Sequence, residues 1–429
     1  MKKTIISTAA AAIAATALTS SAAPVGYDNA GGYWLFGTLN LSPFAEISYN
    51  HDDNPHGARD YAIQAAKEDP EQKNKIEESD SVDYKIGLNL LLPGNHWKLT
   101  GRAYYLGEEF TSDSIDDRHD WSEQATLSGS TDGGSTWALS ELVQKVQYDD
   151  KFEITQQDRL QVALGAKGEA VLTEKSSLLL GAFYTDNDYD DEQCYDYSSF
   201  GGNLGFAHQL TDKTDWTLGA IYTVYDKDEY DSDAYGINGQ IGLRSRATEK
   251  LTFDVSIGAE YFKDFEYKVF DADGNLVDKG EAEDEVGFTY RLAANWKITD
   301  RLSLVLSGYS DYEPAEDVND NSLYANAVSA TLTYQPGDNW RFRAGAAYRR
   351  EDYNRDIVEQ MDPRGNPYSS VENGDNRTDD EISTFAEASY AFTRYCSIFV
   401  DWRYTDVSSS ISGYDYDRQR YGAGIALKY

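Results

Sequence analysis

The chain has 429 residues, a formal net charge of −36 at neutral pH, and 33 Tyr, 16 Phe and 8 Trp. Such an acidic balance excludes a nucleic-acid-binding protein, which needs clustered basic residues. Disordered acidic chains are poor in aromatic residues, so the aromatic content also excludes disorder and favours an ordered β protein.

The first residues have the pattern of a secretory signal peptide. Lys2 and Lys3 form a basic start, residues 5–18 form an apolar Ala-rich stretch, and Ser20-Ser21-Ala22 is a small-residue cleavage site. We expect cleavage after Ala22, with Ala23 as the second choice. The protein is therefore expected to be exported.

After this stretch, no run approaches the roughly 18 apolar residues that a transmembrane helix needs. An exported soluble protein and a membrane β-barrel remain, because barrel strands hide their hydrophobicity by alternation. Residues 23–37 are expected to form a short segment before the first strand.

Strict alternation of apolar and polar residues begins near residue 38 and recurs to residue 429. In the stretch 285–298 one face carries only apolar residues, namely Val286, Phe288, Tyr290, Leu292, Ala294, Trp296 and Ile298. Alternation over 11–13 residues is long for a globular strand and typical of a tilted membrane strand. The whole pattern predicts an all-β fold, a transmembrane antiparallel up-and-down barrel of about eighteen strands within residues 38–429, with sixteen as the alternative.

The connections between the predicted strands alternate between two kinds. Short turns such as Pro93-Gly94-Asn95 and Pro336-Gly337-Asp338 follow the even strands, and longer loops follow the odd strands. Several loops are strongly acidic: 186–196 has six acidic residues and 311–320 has five. Short periplasmic turns opposite long extracellular loops are typical of outer-membrane barrels. The competing fold, a soluble β-sandwich or propeller, does not require this asymmetry.

Tryptophan placement agrees with a membrane barrel. Five tryptophans lie within a few residues of a short turn, where a periplasmic aromatic girdle belongs: Trp97, Trp137, Trp216, Trp296 and Trp340.

Assigning the less apolar face of each strand to the inside gives an interior of small and polar residues, which suits a water-filled lumen. The inward glycines include Gly201, Gly205, Gly219, Gly242, Gly422 and Gly424. The expected pore-lining charged residues are Arg349, Arg403, Arg418, Arg420, Glu387 and Glu46.

A turn centred near residue 395 would place Arg403 directly opposite Glu387. We hypothesise a basic wall, built by the last four strands beneath an acidic mouth, that holds an acidic loop or an anionic solute. The alternative is that these charges merely solvate a wide lumen. The lumen could also be plugged by loop 51–81 or loop 354–380.

Catalysis, cofactors and dedicated metal sites are not expected. His51 with Asp52 and Asp53, and His119 with Asp117 and Asp120, are His/carboxylate clusters that could in principle activate water. Chance occurrence in Asp-rich loops is the preferred explanation, and no Gly-x-Ser-x-Gly or His-Glu-x-x-His motif is present.

Cys194 and Cys396 are expected to remain unpaired. Cys194 is predicted in an extracellular loop and Cys396 at a periplasmic turn. About 25 Å of membrane height would then separate them.

The two ends of the barrel region carry a resemblance to a known group. The final segment, Tyr421 to Tyr429 (YGAGIALKY), resembles the terminal strand signal by which outer-membrane proteins are delivered for assembly. The opening strand, Pro43 to Asn54 (PFAEISYNHDDN), is similar to that of β-barrel porin families with uncharacterised substrates. The resemblance implies a Gram-negative outer-membrane channel or a barrel linked to surface polysaccharide.

The function expected from these observations is a porin-type channel for passive diffusion of small hydrophilic solutes. A non-transport surface barrel for adhesion or polysaccharide association is the alternative. The expected partners are outer-membrane lipid, lipopolysaccharide, the barrel-assembly machinery and small hydrophilic solutes, and no nucleic acid is expected.

Overall fold

The computed structural model describes most of the predicted barrel region. The described residues are 33–35, 39–54, 78–112, 117–149, 156–189, 196–227, 233–265, 267–270, 276–280, 284–315, 322–354, 377–410 and 415–429. The predicted signal peptide, Cys194, and most of loops 51–81 and 354–380 lie outside these residues.

Every regular element of the described residues is a β-strand. The elements are β1 (Tyr33–Leu35), β2 (Leu39–Asp52), β3 (Ser79–Pro93), β4 (Trp97–Phe110), β5 (Arg118–Ser130), β6 (Thr136–Asp149), β7 (Gln156–Thr173), β8 (Ser176–Tyr189), β9 (Tyr197–Thr211), β10 (Thr214–Lys227), β11 (Ala234–Ser245), β12 (Leu251–Lys263), β13 (Tyr267–Phe270), β14 (Leu276–Gly280), β15 (Asp284–Lys297), β16 (Leu302–Pro314), β17 (Ser322–Tyr334), β18 (Trp340–Asn354), β19 (Thr378–Thr393), β20 (Cys396–Ser409) and β21 (Tyr416–Lys428).

Eighteen of these strands, β2–β12 and β15–β21, form one closed antiparallel barrel. Each strand pairs with its neighbours in chain order, and β2 pairs with β21 to close the barrel. The expectation of eighteen strands is confirmed, and the sixteen-strand alternative is wrong. β13 and β14 form a separate hairpin in the connection between β12 and β15.

The alternating apolar and polar residues of each strand lie on opposite faces of the barrel wall. Val286 and Ile257 are exposed on the outer surface, whereas Thr289 and Glu260 on the same two strands are buried inside. A membrane requires this arrangement, because outward side chains contact lipid and inward ones line the interior.

The short turns lie at one rim of the barrel, as predicted. Thr173 pairs with Ser176 and Thr393 with Cys396, so only two residues separate the paired strands at these turns. The outward tryptophans Trp97, Trp137, Trp296 and Trp340 are exposed near this rim, where a membrane-interface girdle belongs.

β1 completes the edge of the barrel where β21 ends. β21 pairs with β2 only from Phe44 to Asp52, whereas β1 pairs with residues 39–41 of β2. These three β1 residues lie within the short segment expected before the first strand.

The ladder between β15 and β16 is incomplete. It runs from Lys297 opposite Ser303 to Arg291 opposite Tyr309, and no pairing continues above this point within the described residues. On their other sides, β15 pairs with β12 up to Asp284 and β16 pairs with β17 up to Pro314. We call the unpaired upper part of this boundary the seam.

Candidate functional site

The inner face of the barrel carries two different surfaces. Charged side chains are concentrated on β18–β21 and β2–β5, where they form ion pairs. Glycines recur at the inward positions of β7–β11, among them Gly165, Gly181, Gly201, Gly205, Gly219 and Gly242. A further group of ion pairs lies among these strands, where Arg244 of β11 contacts Glu169 of β7 and Asp215 of β10.

Arg420 shows most directly that these charges lie inside the barrel. Its guanidinium on β21 forms ion pairs with Asp83 on β3 and, at 3.2 Å, with Glu108 on β4. Tyr421 and Ile86, which have the opposite orientation on the same strands, are exposed on the outer surface, so these contacts lie on the inner face.

Arg418 and Arg349, which the sequence also placed inward, have carboxylate partners. Arg418 Nη2 lies 2.6 Å from Asp52 Oδ2, and that carboxylate is almost fully buried. Arg349 Nη2 donates to Glu313 Oε2 at 3.1 Å, although β17 separates their strands.

Arg403 and Glu387 both lie on the inner wall, but the predicted pairing between them is wrong. Glu387 is opposite Asp401, and Arg403 is opposite Phe385. The observed ladder is centred near residue 394 rather than 395, since Thr393 pairs with Cys396 and the register shifts by one further residue between Ala391 and Thr393. Arg403 therefore lies two residues beyond the partner of Glu387.

The partner of Glu387 lies on the other neighbouring strand. Arg343 is directly opposite Glu387, and its Nη1 donates to Glu387 Oε2 at 3.1 Å. Arg403 Nε lies 3.8 Å from Asp401 Oδ2 on its own strand.

Glu46 lies in the middle of this charged surface. It is opposite Lys85 of β3 and interacts electrostatically with Lys85, Glu387 and Asp401. The last two residues belong to β19 and β20, so Glu46 also faces the interior.

Several inner charges were missed by the sequence analysis. Asp83 and Lys85 alternate with Val82, Tyr84 and Ile86 on β3, so the same period-two pattern could have identified them. Glu108 was missed as well, and Arg118 Nη1 donates to its Oε2 at 3.4 Å.

These additional carboxylates change the interpretation of the wall. The arginines are interleaved with Asp52, Asp83, Glu108, Glu387 and Asp401, so the wall carries both signs of charge. The basic wall expected from the last four strands, which already included Glu387 as an inward acid, stays a hypothesis, and the acids Asp83 and Glu108 of the neighbouring strands were not part of it.

The extracellular end of the interior also contains two buried apolar clusters. One consists of Ala234, Phe262, Phe265 and Tyr312, packed against Tyr225 and Tyr324. The other consists of Ala315, Leu323, Ala325 and Tyr353, packed against Tyr309. No sequence signal had indicated apolar packing inside this end of the barrel.

Strand alternation directs neighbouring residues of the two His/carboxylate clusters to opposite faces of the wall. His51 Nδ1 contacts Asp80 at 2.9 Å, whereas the neighbouring Asp52 points inward to Arg418. His119 Nδ1 forms a hydrogen bond with the hydroxyl of Tyr105 at 2.9 Å. Asp80 and Tyr105 are both outside the groups that the sequence analysis had formed around the two histidines.

Within the described ranges, no cluster of three or more His, Cys, Asp or Glu side chains could hold a metal ion. No helix in the part of the chain that the structure covers is long and apolar enough to cross a membrane.

Comparisons with known proteins agree with the barrel architecture. The family model described as "Putative beta-barrel porin 2" matches residues 154–429. No curated protein matches the chain.

Solved structures with a similar fold include three outer-membrane proteins at 11% identity. The FrpB iron transporter of Neisseria meningitidis (F3-3 variant) has a TM-score of 0.41, and the match covers 88% of this chain and 62% of that one. The outer membrane protein opdK of Pseudomonas aeruginosa has a TM-score of 0.40, with coverage of 91% and 99%. The siderophore receptor PiuA of Acinetobacter baumannii has a TM-score of 0.43, with coverage of 90% and 82%. The chain thus spans less than two thirds of the length of FrpB.

Proposed function

The chain belongs to the putative beta-barrel porin 2 family, and from this premise we propose that it is a channel for passive diffusion of small hydrophilic solutes. The family and the fold identify an outer-membrane barrel of the transport type. The proposal goes one step further, to the class of solute and the mode of passage.

The width of the barrel supports a water-filled pathway. Eight-stranded barrels are filled by side chains, whereas barrels of 16–18 strands leave room for an aqueous channel. Glycines at inward positions of β7–β11 reduce the side-chain volume of that half of the wall, where larger inward residues such as Phe183 also occur.

The observation that carries the proposal is the charged inner wall. Arg420, Asp83 and Glu108 form an ion-pair network on the inner surface, and Arg343 with Glu387 forms a second one. Charged groups are costly in a dry interior and are well solvated beside water. A wall of both signs fits small hydrophilic solutes in general better than one class of anion.

The proposal implies the surroundings of the protein. The outward apolar band would contact outer-membrane lipid and lipopolysaccharide, and insertion would use the barrel-assembly machinery. The lumen charges would contact the passing solutes.

Single-channel recording tests the proposal. The purified protein in planar bilayers is expected to give stepwise conductance, and its ion selectivity follows from the reversal potential across a salt gradient. Changing Arg349, Arg403 and Arg420 to Ala removes three inner positive charges and leaves Glu313, Asp83 and Glu108 with fewer cationic partners. Selectivity should then shift towards cations.

The matched control removes the same number of positive charges outside the lumen. Lys175, Lys213 and Lys250 lie exposed in periplasmic turns, and changing all three to Ala should leave selectivity nearly unchanged. A folded protein that never conducts would refute the channel and favour a non-transport surface barrel. Equal selectivity of both triple variants would show that the inner charges do not contact the permeating ions.

A further inference from the structure

The upper end of β16 leaves the barrel wall at the seam. If the ladder continued in register above Arg291, Phe288 and Tyr312 would stand opposite each other on the outer face. Phe288 and Val286 are indeed exposed on the outer face, so Gly287 between them faces the interior. Tyr312 takes a different position.

The ring of Tyr312 lies on the inner side of β15. A Cβ atom on Gly287, which would point inward, would approach Tyr312 Cε2 to 2.7 Å. The same ring stacks on buried Phe262 of β12, with centroids 4.9 Å apart and planes 9° apart. The end of β16 therefore overlaps the inner faces of β15 and β12.

A contact further around the barrel confirms this position. The hydroxyl of Tyr225 on β10 donates to the backbone oxygen of Tyr312 at 3.3 Å. Three strands, β11, β12 and β15, lie between β10 and β16 in the wall, so the contact crosses the interior of the extracellular end.

The start of β17 follows β16 inward. Ser322 donates to Asp264 Oδ2 at 2.7 Å, although Asp264 follows β12. Tyr324 packs beside Tyr312 with ring centroids 4.8 Å apart. We call residues 310–315 and 322–326 the inward hairpin.

Two side-chain hydroxyls compensate for part of the missing ladder, and that of Tyr324 donates to the backbone oxygen of Phe288. Ser310 Oγ accepts from the backbone N–H of Tyr290 at 3.0 Å and donates to the backbone oxygen of Phe288 at 3.0 Å. Unpaired backbone groups within a membrane wall are costly, so the two hydroxyls make the seam tolerable. The same two backbone groups could instead pair directly with β16.

We propose that the inward hairpin is the gate of this channel, and that it moves between the inward position and a position in the wall in which the β15–β16 ladder continues upward. The role as a gate rests on the proposed function as a channel. The movement of the hairpin does not depend on that function. In the inward position the hairpin fills part of the extracellular mouth with the aromatic cluster around Tyr312. In the wall position that volume returns to the lumen, and the hairpin determines the size of solute admitted.

The register of the existing ladder identifies the residue pairs of the wall position. Continuing from Arg291 opposite Tyr309, Val286 would stand opposite Pro314. Cross-strand Cβ atoms lie about 4.5–5.5 Å apart, which is close to disulfide geometry. In the inward position Val286 faces outward beside the seam, while the end of β16 lies on the inner side of β15.

Cysteine trapping tests the movement. Val286→Cys/Pro314→Cys is made in a background with Cys194 and Cys396 changed to Ser. We expect the folded protein in lipid to form this disulfide on mild oxidation, seen as a gel shift that a reductant reverses. Conductance of the oxidised form should rise on the order of twofold, because it follows the open cross-section of a water-filled lumen.

A wall pair provides the matched control. Ala259 and Phe288 are already directly opposite each other on β12 and β15. Ala259→Cys/Phe288→Cys should therefore cross-link without change in conductance. Tyr312→Ala removes the main inward contact and should accelerate trapping of the Val286/Pro314 pair.

The possible outcomes separate the two proposals. Failure of the Val286/Pro314 pair to cross-link even with Tyr312→Ala, while the control pair does, would overturn the movement. Cross-linking with unchanged conductance would overturn the gate. Cross-linking in a protein that never conducts would support the movement and refute the proposed channel function.

Discussion

The ion pair between Arg420 and Asp83 gives the sharpest test of the inner wall. Both side chains are about one-fifth exposed, at 20% and 18%, so the pair is neither fully buried nor a surface pair. Breaking a buried pair costs about 3–5 kcal/mol, and a hydrogen bond to a charged group contributes about 1.5–3 kcal/mol. The hydroxyl of Ser81 remains bonded to Asp83 at 3.0 Å after the arginine is removed, which places the expected coupling near 2 kcal/mol.

A double-mutant cycle measures this coupling. The free energy of unfolding is obtained from reversible denaturant titration in lipid vesicles for the wild type, Arg420→Ala, Asp83→Asn and the double variant. The matched control is Lys250 with Asp300, a pair at the periplasmic rim 3.3 Å apart and 52% and 95% exposed. Exposed pairs contribute about 0–1 kcal/mol. Equal coupling energies in the two cycles would refute the view that partial burial makes the Arg420–Asp83 pair stronger than a surface pair.

Three further predictions concern packing, pH and thiols. Gly345→Ala should lower the free energy of unfolding by about 1–3 kcal/mol, because the added Cβ would lie 2.3 Å from the ring of Phe385 on the next strand. Denaturant titration measures this change. Gly239→Ala is the control, because a Cβ there would meet no atom within 4 Å. Burial raises the pKa of the Asp264 carboxyl from 3.8 to about 6. Protonation of this carboxyl therefore stabilises the folded protein in acid, and this contribution is lost as the pH rises through this range. The free energy of unfolding should fall between pH 4 and pH 7 in the wild type more than in Asp264→Asn, and equal slopes would contradict this. Thiol titration of the denatured, unreduced protein should find both Cys194 and Cys396 free, and a single disulfide would overturn the predicted placement of Cys194.

The barrel could be predicted from the sequence because the membrane imposes one rule on every strand. An outward residue must be apolar, so stretches such as 251–263 and 285–297 show period two over their whole length. The same rule placed Arg349, Arg418 and Arg420 inside, where the structure has them.

The register could not be predicted in the same way. It depends on turn geometry and on local irregularities. The turn after Thr393 and the irregularity next to it together place Glu387 opposite Asp401 rather than Arg403. Alternation determines the face of a residue but not its height relative to the neighbouring strand. The partners of charged residues were therefore beyond sequence reasoning.

The seam was hidden for a related reason. β16 keeps its alternation to the end, so Tyr312 looks like an ordinary outward aromatic residue. Ser310 at a nominally lipid-facing position and Gly287 on the facing strand were the available signs. Only the tertiary structure shows that Ser310 accepts a hydrogen bond from the backbone N–H of Tyr290 and that Gly287 makes space for the ring of Tyr312.

The three residues of β1 protect the barrel from other chains. Without them, residues 39–41 of β2 would present unpaired backbone N–H and C=O groups at the periplasmic rim, since β21 reaches only to Phe44. Such an edge is a template for adding a foreign strand and leads to aggregation. By folding back on its own first barrel strand, the chain blocks that template, so that two incompletely inserted copies cannot join through this edge.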